Sequence, residues 1–290
     1  MAEQDSIAVI GAGVIGSAIA CALAREGRQV LLIDRAPPGE GGASFGNAGH
    51  IATELLEPLP SPKLLFGFWR ELFAFDGVLD IPARRLAPFL PWAVRFARAA
   101  FQRAENTRHL APFVRPAVPA LIGMLAELGR PDLIRQHGHY QVWLGRDGER
   151  SARAQARAMD ELLVPTTPAA QEFLEVVRQA AGARSAAGLW FPKCAHVVDP
   201  LEVVRAFANA ATQRGTVFLR REVRALRAAG HGVQVITDSG PLSAGAAIVC
   251  TGVWSAPLLQ PFGFNIPLEA ARGYHVQMPD ATPLVDAPIL

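Results

Sequence analysis

Cysteine is scarce in this chain, lysine almost absent, and charge of either sign is not in surplus. Cys21, Cys194 and Cys250 are odd in number and far apart, with no CxxC or Cys/His spacing, which supports neither a disulfide framework nor a zinc site and fits a reducing compartment. Of 28 basic residues only Lys63 and Lys193 are lysine, a bias that base composition explains and that carries no function. With 26 acidic residues the formal charge is +2, too near balance for a nucleic-acid partner. Positive charge is also missing before the first apolar run: "MAEQDS" has two acids and no Lys or Arg. The uncharged residues Ile7 to Ala24 that follow are broken by Gly11, Gly13 and Gly16. A secretory signal is therefore not expected there, and no transmembrane span is expected in the chain.

What is present is apolar surface, half of 290 residues, enough for one large domain or two interlocked ones. The first segment, "IAVIGAGVIGSAIACALAREGRQVLLIDR", runs from a short β-type stretch through Gly11-x-Gly13-x-x-Gly16 into a run of small and apolar helical residues, stops at Gly27, and resumes as Val30 to Ile33, ending in Asp34. This is the strand, turn, helix, strand order of a dinucleotide fold. Gly11 permits the tight turn, Gly13 lets the backbone approach a pyrophosphate with Val14 and Ile15 opening the helix, and Gly16 allows helix and strand to close on each other. Asp34 suits the ribose hydroxyls and repels a 2′-phosphate, which argues against NADP; the motif alone does not separate NAD from FAD.

Within five residues of Asp34 a second glycine-rich segment begins, with Gly39, Gly41, Gly42, Gly46 and Gly49, read as "GGASFGNAGHIA" from Gly41. Such a stretch suits a long cofactor lying along bare backbone. Together with the later "TGVWS" (Thr251 to Ser255) and "ARGYHV" (Ala271 to Val276), it makes the sequence resemble the FAD-dependent D-amino-acid oxidase superfamily, its bacterial D-amino-acid dehydrogenase branch above all. The resemblance implies that Ser44, Asn47, Ala48 and Gly49 run beside the phosphate and ribityl portion of FAD. It adds Arg35, Thr251, Gly252 and Trp254 to the cofactor set and brings the main chain of Val223 to the adenine. His50 stands where related dehydrogenases often carry Gln near the flavin ring, and Tyr274 faces flavin or substrate; these two are the candidate catalytic residues. No metal is expected.

Residues 53 to 192 differ in character, with frequent proline and amphipathic runs. A helix is expected from Pro91 to about Arg103, with Phe96, Ala97, Ala100 and Phe101 on one side and Arg95, Arg98 and Arg103 on another. Between Arg84 and Arg157 thirteen arginines face five acids, either a solvated face or a surface for anionic lipid near a quinone acceptor. "HYQVWLG" and "GLWFP" read as strands, whose His139, Tyr140, Trp143 and Trp190, with His137, are candidates to line a pocket. After Asp199-Pro200 come a helix to Arg214, two strands around a "HG" turn (Val223 to Arg227, Val233 to Thr237), and a strand from Ala246 to Cys250.

The expected architecture is α/β: a Rossmann-like FAD-binding domain from residues 1–52 and 193–264, with an inserted α+β substrate domain from 53–192 and 265–290. The resemblance implies oxidation of the CH–NH2 group of D-amino acids or related amines to imino acids by hydride transfer to flavin. A glycine- or sarcosine-type amine oxidase and a catalytically silent flavoprotein fragment are the alternatives. The implied acceptor is oxygen or a membrane quinone, and the implied location the cytoplasm, including its membrane face. Family members continue beyond "PLVDAPIL" with more substrate-domain strands, an arginine for the substrate carboxylate and a closing glycine-rich segment, so the chain reads as truncated at its carboxyl end.

Overall fold

A computed structural model describes residues 5–68, 72, 77, 79–276 and 285–290. The chain divides into two compact units, one of residues 1–49, 124–133 and 197–270, the other of residues 50–123, 134–196 and 271–290.

The first unit is built on a four-stranded parallel sheet. Strand β1 (Ser6–Ile10) lies at its centre between β2 (Gln29–Asp34) and Ala246–Val249, and β2 is flanked in turn by Val217–Arg220. Alternation sends Ala8 and Ile10 of β1 and Ile33 of β2 to one face, where they form a buried cluster with Leu226, Val235, Ala244 and Leu258. The first three of those partners belong to a three-stranded antiparallel meander, Val223–Ala229, Gly232–Thr237 and Gly240–Ala244, which covers that face. The opposite face takes helix α1 (Val14–Arg25), whose buried side is Gly16, Ser17, Ala20, Cys21 and Ala24. A face of such small residues lets the helix Pro200–Gln213 lie close against α1. That second helix starts at Asp199, whose carboxylate accepts the Leu201 amide at 2.8 Å, with Pro200 in the first position, where a missing N–H costs nothing.

The second unit holds an antiparallel sheet in which His139–Leu144 pairs with Ala186–Phe191, Tyr140 opposite Trp190, and Thr167–Pro168 forms the far edge. Helices Gly148–Glu161 and Gln171–Ala180 cover it through Ala152 and Met159 and through Phe173, Leu174 and Val177. The strands expected at "HYQVWLG" and "GLWFP" are thus each other's partners, and their aromatic residues are largely structural: Tyr140 stacks on Phe173 at 3.9 Å, and the Trp190 indole donates to the His137 carbonyl at 3.3 Å.

The helix expected from Pro91 to Arg103 is placed differently. It spans Leu86–Ala99, a 3-10 turn covers Ala100–Gln102, and a further helix runs Arg103–Val114. Proline is a start signal only in the first turn; Pro88 occupies that turn, and Pro91 forfeits one hydrogen bond in the second without ending the helix. The break at Ala100 separates the expected apolar face, leaving Ala100 buried and Phe101 71% exposed. Arg103 is not a solvated face residue either: its guanidinium holds both Glu57 oxygens at 2.6 and 2.9 Å and the Pro58 and Pro60 carbonyls at 2.7 and 3.2 Å. The helical stretch Ala83–Glu127 is long and apolar enough, by length and composition, to cross a membrane, and little of it is buried. The segment "ARGYHV" has no regular structure.

The close seat of α1 sets the tightest steric demand in the first unit. A Cβ on Gly16 would lie 1.8 Å from the Gly11 carbonyl oxygen, whereas one on Gly123, within the helix Ala117–Glu127, would meet nothing within 4 Å. Gly16→Ala is therefore expected to cost about 3 kcal/mol or more in chemical denaturation, and Gly123→Ala to be neutral or stabilising by up to about 1 kcal/mol. Equal effects of the two substitutions would contradict this account of the helix seat.

Candidate functional site

At the carboxyl end of β1 the chain turns through Gly11, at φ +100°, a region an L side chain rarely enters. Its amide donates to the Ile33 carbonyl at 2.7 Å, and a Cβ here would lie 2.5 Å from the Cys250 carbonyl oxygen. The turn thus sits wedged between β2 and the strand ending at Val249. The first α1 amide to bond back along the chain is that of Ser17, to the Gly13 carbonyl at 2.9 Å, so the amides before it face out of the helix end. Gly13 offers no side-chain cap and the first turn has no acid, which leaves the positive helix end for an anion from outside. Val14 and Ile15 are exposed at this mouth, and the Val14 amide donates to Ser44 Oγ at 2.9 Å. Ser44 is also the nearest group to the space a Cβ on Gly13 would take, at 3.1 Å.

Asp34 closes β2 with both carboxylate oxygens engaged. Oδ2 accepts the Ala12 amide at 2.7 Å and Oδ1 the Ala36 amide at 3.0 Å, each oxygen keeping a further lone pair. The glycine-rich segment passes beside it, since a Cβ on Gly41 would stand 2.9 Å from Oδ1. The Arg35 guanidinium lies 4.4 Å over the Trp254 ring, and Gly42 passes the same ring. Asn47 staples the segment, donating to the Ala43 and Ser44 carbonyls at 3.1 and 3.2 Å and accepting the Gly49 amide at 2.8 Å. Ala48 is exposed between them, and Gly49, at φ +64°, abuts the Val197 carbonyl at a distance no Cβ tolerates. Gly252 has φ +56° and follows Thr251, whose hydroxyl lies 3.1 Å from that of Ser255. Val223 opens the meander, two residues after Arg221, whose amide binds the Asp34 carbonyl at 2.8 Å. The first unit therefore gathers Gly11, Gly13, Val14, Ile15, Gly16, Asp34, Arg35, Ser44 and Trp254 around one helix end, with Asn47, Ala48, Gly49, Val223, Thr251 and Gly252 on the adjoining backbone.

His50 and Tyr274 belong to the second unit. Tyr274 is 88% exposed on irregular chain. His50 faces a buried polar cluster that the sequence reading did not contain. Its Nε2 lies 3.5 Å from Glu54 Oε1, the Nε2 of His139 lies 3.6 Å from the same oxygen, and the Cys194 thiol donates to Glu54 Oε2 at 2.8 Å. Burial by itself raises the Glu54 carboxyl, but the adjacent His50 ring and the hydrogen bond from Cys194 outweigh it and hold the group below its ordinary value. Burial pushes His139 down to about 4, so it is neutral at physiological pH, and burial with the Glu54 hydrogen bond pushes the Cys194 thiol up to about 12. Cys194 is thus no thiolate nucleophile. The only local signal for this cluster is the four-residue spacing of His50 and Glu54.

The protein is similar to the D-amino-acid oxidase of Bradyrhizobium diazoefficiens, 30% identical over 293 residues, covering 96% of this chain and 67% of that protein. It is similar also to the D-amino acid dehydrogenase of Dechloromonas aromatica, 30% identical over 281 residues, covering 92% of this chain and 67% of that one. Among solved structures it shares a fold with glycine oxidase from Bacillus cereus, with a TM-score of 0.58 at 22% identity over 89% of this chain and 58% of that one. The chain thus spans about two-thirds of the length of these curated relatives. Its cradle fits the adenosine diphosphate half of FAD, with outward amides and backbone that glycine alone can bring close, and with a carboxylate at the end of β2. Residues 6–289 match the family of FAD-dependent oxidoreductases that includes the D-amino-acid oxidases, and the chain belongs to that family.

Proposed function

We propose that the protein oxidises the CH–NH2 group of D-amino acids or related amines to imino acids, which water converts to 2-oxo acids and ammonia. The observation that carries this reading is the cradle around Gly11 and Asp34, in a chain 30% identical over more than nine-tenths of its length to enzymes named for D-amino acids. The first unit is the cofactor unit and the second the substrate unit. Gly11, Gly13, Val14, Ile15 and Gly16 hold the pyrophosphate, and Asp34 the ribose. Arg35, Trp254 and the main chain of Val223 frame the adenosine end, and Ser44, Asn47, Ala48, Gly49, Thr251 and Gly252 follow the ribityl chain. Bound FAD supplies the hydride acceptor.

The protein's own part is to orient the α-carbon and exclude water. A substrate amine bound in its neutral form needs no side chain as base, so His50 requires no acid–base role. Tyr274, exposed on irregular chain, is the substrate-facing candidate in the second unit. For the acceptor we favour a quinone at an anionic membrane face. Exposed Leu86, Leu90, Val94, Phe101 and Phe113 share one helical stretch with Arg84, Arg95, Arg98 and Arg108, the combination that binds at a lipid interface.

Asp34→Ala removes the acceptor of two backbone amides as well as the ribose contact. It is expected to weaken FAD binding at least tenfold in a fluorescence titration, and to lower stability by about 1–3 kcal/mol; unchanged affinity would remove Asp34 from the ribose site. The FAD-loaded chain is expected to reduce an artificial electron-accepting dye with a panel of D-amino acids and to release ammonia. Failure with every member of the panel would refute the substrate assignment, and peroxide release in air would replace the quinone acceptor with oxygen.

A further inference from the structure

Three side chains from two distant segments converge within the second unit on one buried point. His50 comes from the strand His50–Ile51, Glu54 from the turn after it, and His139 from the first position of the strand His139–Leu144. Glu54 and His139 are 5% and 1% exposed, and His50 is half-buried at the edge of the cluster. We propose that His50, Glu54 and His139 form a binding site for one divalent transition-metal ion of the zinc type, a clip that ties the entry segment of the second unit to its sheet.

The donor set is chemically right. Two imidazoles and a carboxylate are the ligands zinc takes when a fourth position is left to water. The two spacings to the carboxylate fit: both Nε2 atoms approach the same Glu54 oxygen, at 3.5 and 3.6 Å, while the three donor atoms as a set lie within 4.8 Å of one another. Ligand atoms at metal bonds of about 2.0–2.2 Å in a tetrahedral site stand about 3.3–3.5 Å apart. For direct N–H···O hydrogen bonds the same distances are long, the usual range being about 2.7–3.2 Å.

The surroundings hold these donors in place. The Cys194 thiol takes Glu54 Oε2 at 2.8 Å and leaves Oε1 to the two rings, as an outer hydrogen bond orients a ligating carboxylate. Thr53 Oγ1 in turn lies 3.5 Å from the Cys194 sulfur. His139 stacks on Phe191 at 4.4 Å and meets the His50 ring edge-on at 4.7 Å, which fixes both ring planes. The Nδ1 atoms of both rings have no hydrogen-bond partner among the described residues, so ring packing rather than an outer hydrogen bond orients each imidazole. Neutral His139 and ionised Glu54 are the protonation states a metal requires.

The test uses the full-length chain, stripped with a chelator, loaded with zinc chloride and desalted. Elemental analysis is expected to find about one zinc per chain, and cobalt substitution to give the visible absorption of a tetrahedral site. Zinc is expected to raise Tm by several degrees, with or without FAD, so the outcome is independent of the flavin reading. His50→Gln, at the edge of the cluster, and Glu54→Gln are expected to weaken zinc binding about 100-fold or more with the circular dichroism spectrum preserved. His109→Gln, at an exposed histidine, should retain the metal. Should Glu54→Gln fail to fold, the His50→Gln result decides. Zinc lost on desalting with Tm unmoved would overturn the proposal, as would equal retention by His50→Gln, and would leave the three groups held by hydrogen bonds alone.

Discussion

The contact between α1 and the turn that precedes it governs the rest of the first unit. With the Gly11 carbonyl where a Cβ of Gly16 would be, the helix can start only where two residues lack side chains, directly over the ends of β1 and β2. This fixes where the outward amides of the first helical turn point. The other groups are then positioned by backbone: Asp34 through the Ala12 and Ala36 amides, the Cys250 to Gly252 turn by contact with Gly11, and Ser44 through the Val14 amide. Side chains decide little of the cradle's shape, which suits a site whose ligand is recognised by its phosphates and ribose.

Asp34 has a double task for the same reason. Its carboxylate holds the turn before α1 and the residue after β2 together, so the group that would receive a ribose is already locked in orientation by two amides. Such preorganisation lowers the ordering cost of binding. The glycine-rich segment adds a second layer in which Asn47 replaces regular secondary structure, tying Ala43, Ser44 and Gly49 through one side chain.

Much of this was legible in the sequence because it is local. Glycine spacing, the acid 18 residues after Gly16 and the unbroken apolar run Val30 to Ile33 all report on contacts within one strand, turn and helix unit. The neighbours in space were harder to read. Val217–Arg220 pairs in parallel with β2, yet its arginine and half-exposed positions mark it as an edge strand and hide it in an Arg-rich run. Gly240–Ala244 begins Gly-Pro, which reads as a turn, but it is the meander's edge, where proline is tolerated. The Glu54 cluster joins residues more than eighty positions apart, and no periodicity encodes such a meeting. Arg103 looked like a solvated arginine because its partner, Glu57, lies beyond a proline-rich turn.

The central claim is that the backbone of this chain recognises the adenosine diphosphate half of a flavin dinucleotide. Competition calorimetry on the purified chain tests it most directly, with FAD as the titrant and ADP or FMN as competitors. The account predicts that ADP competes with FAD more strongly than FMN, which shares the ribityl chain but lacks the adenosine half. FMN displacing FAD as well as ADP does, or ADP failing to compete, would contradict it.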